Sequence, residues 1–213
     1  MTRSTRQRLL ELVAPPPQPT AVDWEAAERA LGITFPPGYR WLAETYGPGV
    51  FDDFLRFFVP GPTVLDLVAA TAFNTELNRD VLSDPYAPPF PYPLHPDPGG
   101  LVVWAETVDR ESLFWATDGP PEDWPTIVET FEDLGTWRYD GPAEELLLAM
   151  LERTVQIPYI LPEAFEEPHT FTSANEPEVD DSATLTNTVA SIARGGLRRA
   201  LAVTAGVRRR LTP

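Results

Sequence analysis

Two histidines, His95 and His169, are the chain's whole supply of imidazole, and it has no cysteine. His95 stands in Pro93-Leu94-His95-Pro96-Asp97, and His169 follows Glu166-Glu167-Pro168. Neither has a second histidine at the H-x-x-x-H spacing that sets two imidazoles around zinc on one helix face. Each therefore reads as a solvated loop histidine, and neither a metal nor a cofactor is expected. None of the six serines lies in a Gly-x-Ser-x-Gly elbow, the strained turn that exposes a nucleophile. Gly47-Pro48-Gly49 is a helix stop and turn rather than a phosphate cradle. Asp52/Asp53 and Glu122/Asp123 have the form of general acid–base pairs. With 32 acids in 213 residues, however, such pairs arise by chance. Trp104, Trp115, Trp124 and Trp137 offer rings for stacking on a ligand, but their strand-like runs place them in a core. The residues spell out no catalytic constellation, and the expectation is that the chain is not an enzyme.

Charge gives a second line of inference. All sixteen basic residues are arginine, which with abundant alanine and proline points to a GC-rich bacterial genome. Residues 1–172 carry 28 acids and ten arginines, a net charge of −18. Residues 182–213 carry six arginines and no acid. Such a body repels phosphate backbones, so it is expected not to bind nucleic acid, and it attracts a basic partner. Acidity that merely keeps the protein soluble is the plainer alternative. No run of about 18 apolar residues is present to span a bilayer. The first eight residues are basic but lack a signal peptide's apolar stretch. The cytoplasm is the expected location.

The elements that position these residues follow from spacing. Leu9, Leu10 and Val13 predict a short helix stopped at Pro15. A second is predicted over about 22–31, capped by Thr20 or Asp23 and ended by Gly32. Pro36 and Pro37 start a third, with Tyr39, Leu42, Ala43 and Tyr46 on its apolar face. Strand character begins at Phe51 and runs through Leu55, Phe57, Phe58 and Val59. A long helix over about 64–82 is predicted to bury Leu65, Val68, Ala72 and Leu77. Residues 83–99 hold seven prolines and form a stiff loop. Apolar and alternating segments at 101–104, 113–116, 124–130 and 137–139 predict antiparallel strands. A closing helix opens at Asp140-Gly141-Pro142, buries Leu147, Met150 and Leu151, and is predicted to end at Pro158. The expected class is α+β: N-terminal helices, an antiparallel meander and a closing helix. The domain is set at 1–172, followed by an acidic linker (173–181) and a basic tail (182–213), either an amphipathic helix or disordered.

Several features in this order resemble the SUKH superfamily, the Smi/Knr-type domain. They are Trp24-Glu25-Ala26-Ala27-Glu28 with Leu31-Gly32, then Phe35-Pro36-Pro37-Gly38-Tyr39-Arg40, and Tyr46-Gly47-Pro48-Gly49 with Phe51. Leu113-Phe114-Trp115 before Asp118-Gly119, Trp124 and the helix at Ala143-Glu144-Glu145-Leu146-Leu147 continue the match, which covers roughly residues 20–155. The resemblance implies a scaffold that works by binding protein: in bacteria, an immunity protein that neutralises a cognate toxin, often a nuclease. Fungal relatives imply a second role, in cell-wall-assembly signalling, for which the basic tail would add a membrane-surface contact. A small-molecule enzyme is the third reading. For the immunity reading the partner is a basic toxin domain, and the candidate contacts are the acids read as loop residues: Asp52, Asp53, Glu106, Asp109, Asp118, Glu122 and Asp123. Oligomeric state is left open.

Overall fold

A computed structural model describes residues 4–18, 21–87, 89–130 and 135–174. Helix α1 (Thr5–Leu12) starts at a reciprocal cap, in which Ser4 Oγ accepts from Gln7 N–H and Gln7 Oε1 accepts from Ser4 N–H. Helix α2 (Trp24–Leu31) is capped by Asp23 and stops where Gly32 turns left-handed at φ 68°. Helix α3 (Pro37–Tyr46) needs no side-chain cap, because Pro36 and Pro37 preset the backbone and have no N–H to satisfy. Helix α4 (Leu67–Leu82) begins three residues later than the apolar run at Val64. The carboxylate of Asp66 takes the Val68 and Ala69 N–H groups and fixes the start there. Helix α5 (Ala143–Leu151) ends well before Pro158, since Arg153 adopts φ 56° and breaks the run.

The strands are β1 (Gly49–Phe51), β2 (Leu55–Phe57), β3 (Leu101–Thr107), β4 (Ser112–Ala116), β5 (Thr126–Glu129), β6 (Thr136–Tyr139) and β7 (Phe171–Ser173). They form one antiparallel sheet in the order β6-β5-β4-β3-β2-β1-β7. The meander is present, and the class is α+β. Two strands are additional to the expected set. The single strand read from Phe51 to Val59 is a hairpin with Asp52 and Asp53 at its turn, at φ 50° and 52°. Strand β7 returns from the far end of the chain to lie beside β1. Strand pairing thus continues through Ser173, and Ala174 N–H bonds to Pro48 O, so the folded body runs past residue 172. The rest of the acidic linker and the whole basic tail lie outside the described residues.

The sheet separates two unlike layers. Tyr39 of α3 meets Trp115 (4.7 Å between ring centroids) and Phe57 (5.5 Å), and Trp104 stacks on Trp115 at 6.2 Å. Trp104 joins this face because β3 shifts register between Val103 and Ala105. The extra residue turns its ring to the side opposite Glu106. The Tyr39 hydroxyl donates to Phe58 O at 2.7 Å, so the buried ring keeps a polar partner. Trp104, Trp115 and Trp124 are buried, as their strand-like runs predict.

The opposite face carries α4, and here the expected packing holds for Leu65 alone. Ala72 is exposed, and Val68 and Leu77 are only half-buried. The buried positions are Leu67, Thr71, Asn74 and Asn78. They lie over a polar row that crosses four strands in register, Arg56↔Glu106↔Ser112↔Glu129. Arg56 Nη1 donates to Glu106 Oε1 at 3.1 Å, Asn78 Nδ2 to Glu129 Oε2 at 3.3 Å, and Ser112 Oγ to Asn74 Oδ1 at 3.5 Å. Asn74 and Asn78 face inward to hydrogen-bond partners in that row, beside buried Leu67 and Thr71.

Among the described residues no helix is long and apolar enough to cross a membrane.

Candidate partner-binding cleft

Two of the seven acids expected to meet a partner are withdrawn from the surface. Glu106 stands in β3 rather than in a loop, is 7% exposed, and is locked to Arg56. Breaking such a buried pair leaves an uncompensated charge, which costs about 3–5 kcal/mol, so its carboxylate is not free for a partner. Asp52 occupies the hairpin turn, but its carboxylate points inward. It accepts from His169 Nδ1 at 2.7 Å and from Thr170 N–H at 2.7 Å, with the two side chains 5% and 1% exposed. His169 is therefore a buried clamp that fixes β7 to the β1–β2 turn, not a solvated loop residue. His95 is also engaged, with Nε2 2.8 Å from Leu31 O.

The other five acids are exposed but do not form one patch. Asp53 and Asp109 lie on the β1–β2 and β3–β4 turns, at one end of the sheet. Asp118, Glu122 and Asp123 lie on the β4–β5 connection at the other end. The seven-residue strand β3 sets the ends apart by roughly 20 Å at 3.3 Å per residue.

Of the second group, Glu122 lines a cleft of about 160 Å³, together with Arg6, Pro36, Pro37, Gly38, Trp115, Pro121, Trp124, Pro142, Ala143 and Glu144. Local sequence explains its shape. Pro36 and Pro142 stand at the N-caps of α3 and α5, and neither helix has a side-chain cap. Pro120 and Pro121 open a short 3-10 turn through Asp123. Trp124 Nε1 donates to Gly119 O at 3.0 Å and closes that connection on itself. Proline rings hold these walls with little conformational freedom to lose on binding.

The floor of the cleft is the carboxylate of Glu144, from the first turn of α5. It lies directly over Gly38, where a Cβ would stand 1.8 Å from Oε1, so only glycine leaves it this room. Glu144 Oε2 is enclosed without a hydrogen-bond partner. Burial holds the Glu144 carboxyl above the usual carboxylate range. Its own backbone N–H and the charge of Arg6 act against that shift, and Glu145 adds to it. Arg6 does not pair with Glu144; its guanidinium lies over Trp41, 5.2 Å from the ring centroid. The positive ends of α3 and α5 both favour an anion at this spot. Chemically, the site is a small acidic recess with apolar walls.

Glu144 and Gly38 were not singled out as site residues from the sequence. The Pro37-Gly38 step that opens α3 and the Glu144-Glu145 pair after Pro142 are legible in the sequence only as helix starts. Their meeting depends on α3 and α5 packing side by side. A second recess, about 420 Å³, is lined by Trp137, Gln156, Ile157, Pro158, Ile160 and Pro162. Exposed Tyr159 and Leu161 belong to the same segment. Among the described residues, no group of three or more histidines and acids is placed to hold a metal ion.

Compared with family models, curated proteins and solved structures, the chain matches none.

Proposed function

We propose that the chain is a non-catalytic, cytoplasmic protein-binding domain of the immunity kind, which neutralises a basic toxin by covering it. The observation that carries this reading is the proline-walled cleft with Glu122 in its wall, and Asp118 and Asp123 exposed on the same β4–β5 connection. A preformed acidic surface attracts a basic partner by steering its approach, and a rigid one loses little entropy on contact. The order of motifs that resembles the SUKH superfamily supports the same reading, as does the structural use of both histidines. Asp53 and Asp109, at the far end of the sheet, are assigned no contact. Asp52 and Glu106 are dropped because their carboxylates are already bonded.

The test starts from the genes adjacent to this chain's: a basic toxin module encoded there should form a complex with it. Arginine substituted together at Asp118, Glu122 and Asp123 should slow association at low salt by about tenfold or more, as loss of steering does. The same change at Asp53 and Asp109 should leave the rate nearly unaltered. Equal rates for both sets, or no complex with the parent chain, would refute the assignment.

A further inference from the structure

The cleft also specifies which part of a partner it accepts, an inference that rests on the protein-binding reading above. We propose that it receives a single arginine side chain of the partner, with Glu144 at its floor and Glu122 at its mouth. Size is the first argument. At about 160 Å³ the cleft is roughly half the smallest volume usual for a small-molecule or cofactor site, ~300 Å³, and is scaled to one side chain.

Charge is the second argument. Glu144 is enclosed beside Gly38 with one carboxylate oxygen unpartnered, and the nearest cation, Arg6, is stacked on Trp41. Two acids line the recess, Glu122 and Glu144, against that one arginine, and Asp118, Asp123 and Glu145 are exposed on the same two segments of the chain. Because Glu144 lines the cleft, an entering cation would offset its charge there. Wall chemistry then separates arginine from lysine. Proline and tryptophan surfaces suit an apolar stem and a flat, weakly hydrated guanidinium better than a compact, strongly hydrated ammonium.

Titration of the full chain with N-acetyl-arginine amide, followed by two-dimensional amide NMR, tests this directly. The Gly38 amide, the Glu144 amide and the Trp124 indole should shift saturably. N-acetyl-citrulline amide, the neutral isostere, should bind at least about tenfold more weakly. E144Q should weaken arginine binding by a similar factor, and E122Q by less. Equal shifts with citrulline, or shifts that are the same in E144Q, would overturn the proposal. So would arginine-induced shifts as large at Asp53 and Asp109 as at the cleft. Binding to a toxin module found in an adjacent gene separates this inference from the function. If it binds E144Q as tightly as the parent chain, the arginine slot fails and the protein-binding role stands. If it binds neither, the role itself fails.

Discussion

Replacing Gly38 by alanine would move the Glu144 carboxylate while leaving its charge in place. The new methyl carbon would stand 1.8, 1.9 and 2.0 Å from Oε1, Oε2 and Cδ of Glu144. The carboxylate must therefore retreat by about 2 Å to reach ordinary van der Waals separation. Two effects on stability oppose each other. Residue 38 is helical, so alanine gains up to ~1 kcal/mol over glycine. Withdrawing an anion from a helix N-terminus loses about 0.3–1 kcal/mol. The sum lies within about 1 kcal/mol of zero, a change in Tm of no more than about 4 °C for a chain of this size. Arginine binding should nevertheless fall by at least about tenfold, or ~1.4 kcal/mol, near the lower end for a hydrogen bond to a charged group. Calorimetric melting and the same NMR titration provide both numbers. A Tm loss above about 8 °C would show that Glu144 has nowhere to withdraw. Undiminished binding would show that its position is not what the cation reads.

Asp52→Ala should cost about 2–4 kcal/mol, because it leaves the buried His169 N–H unpaired and puts alanine at φ 50°. Hydrogen exchange should quicken first at Thr170 and Phe171, while Asp52→Asn, which tolerates that φ and keeps an acceptor, should lose less; unchanged exchange in the alanine variant would refute the clamp. Glu144→Gln should change how stability varies with pH, with Arg6 of α1, Glu122 of the β4–β5 connection and Glu145 of α5 as its charged neighbours. Because burial raises the folded-state pKa of Glu144, the parent's advantage is present below the ordinary carboxylate pKa of about 4.3 and is lost as pH rises through the folded value. Urea unfolding should thus give E144Q a gain relative to the parent at about pH 7 that shrinks toward about pH 3.5; a gain that is constant with pH would show that ionisation is not the cause.

Much of the frame was legible because local signals agreed with one another. Proline pairs, Gly32 and Asp23 marked helix ends, and alternation from Leu101 to Tyr139 marked the meander. What escaped depended on distant partners. β7 has three residues, too few for a period, and is strand only because β1 offers an open edge. Asp52 and His169 are 117 residues apart in the chain, and nothing local in either says that they meet. The face of α4 departs from its aliphatic spacing, because Val68, Ala72 and Leu77 do not carry the buried side. Thr71, Asn74 and Asn78 do stand at helical spacing, and that polar stripe was the available signal. As for the cleft, its walls were visible as separate motifs, and its floor required packing.

The charged row beneath α4 has a consequence for how the sheet assembles. Side chains alternate between faces, so a hairpin that slipped by one residue would push Arg56, Glu106 and Glu129 among the rings of Trp104, Trp115 and Tyr39. No partner waits there for an ion, and each stranded charge would cost several kcal/mol. A one-residue slip of β2, β3 or β5 is therefore disfavoured, and the ionic row holds the strands to the observed register.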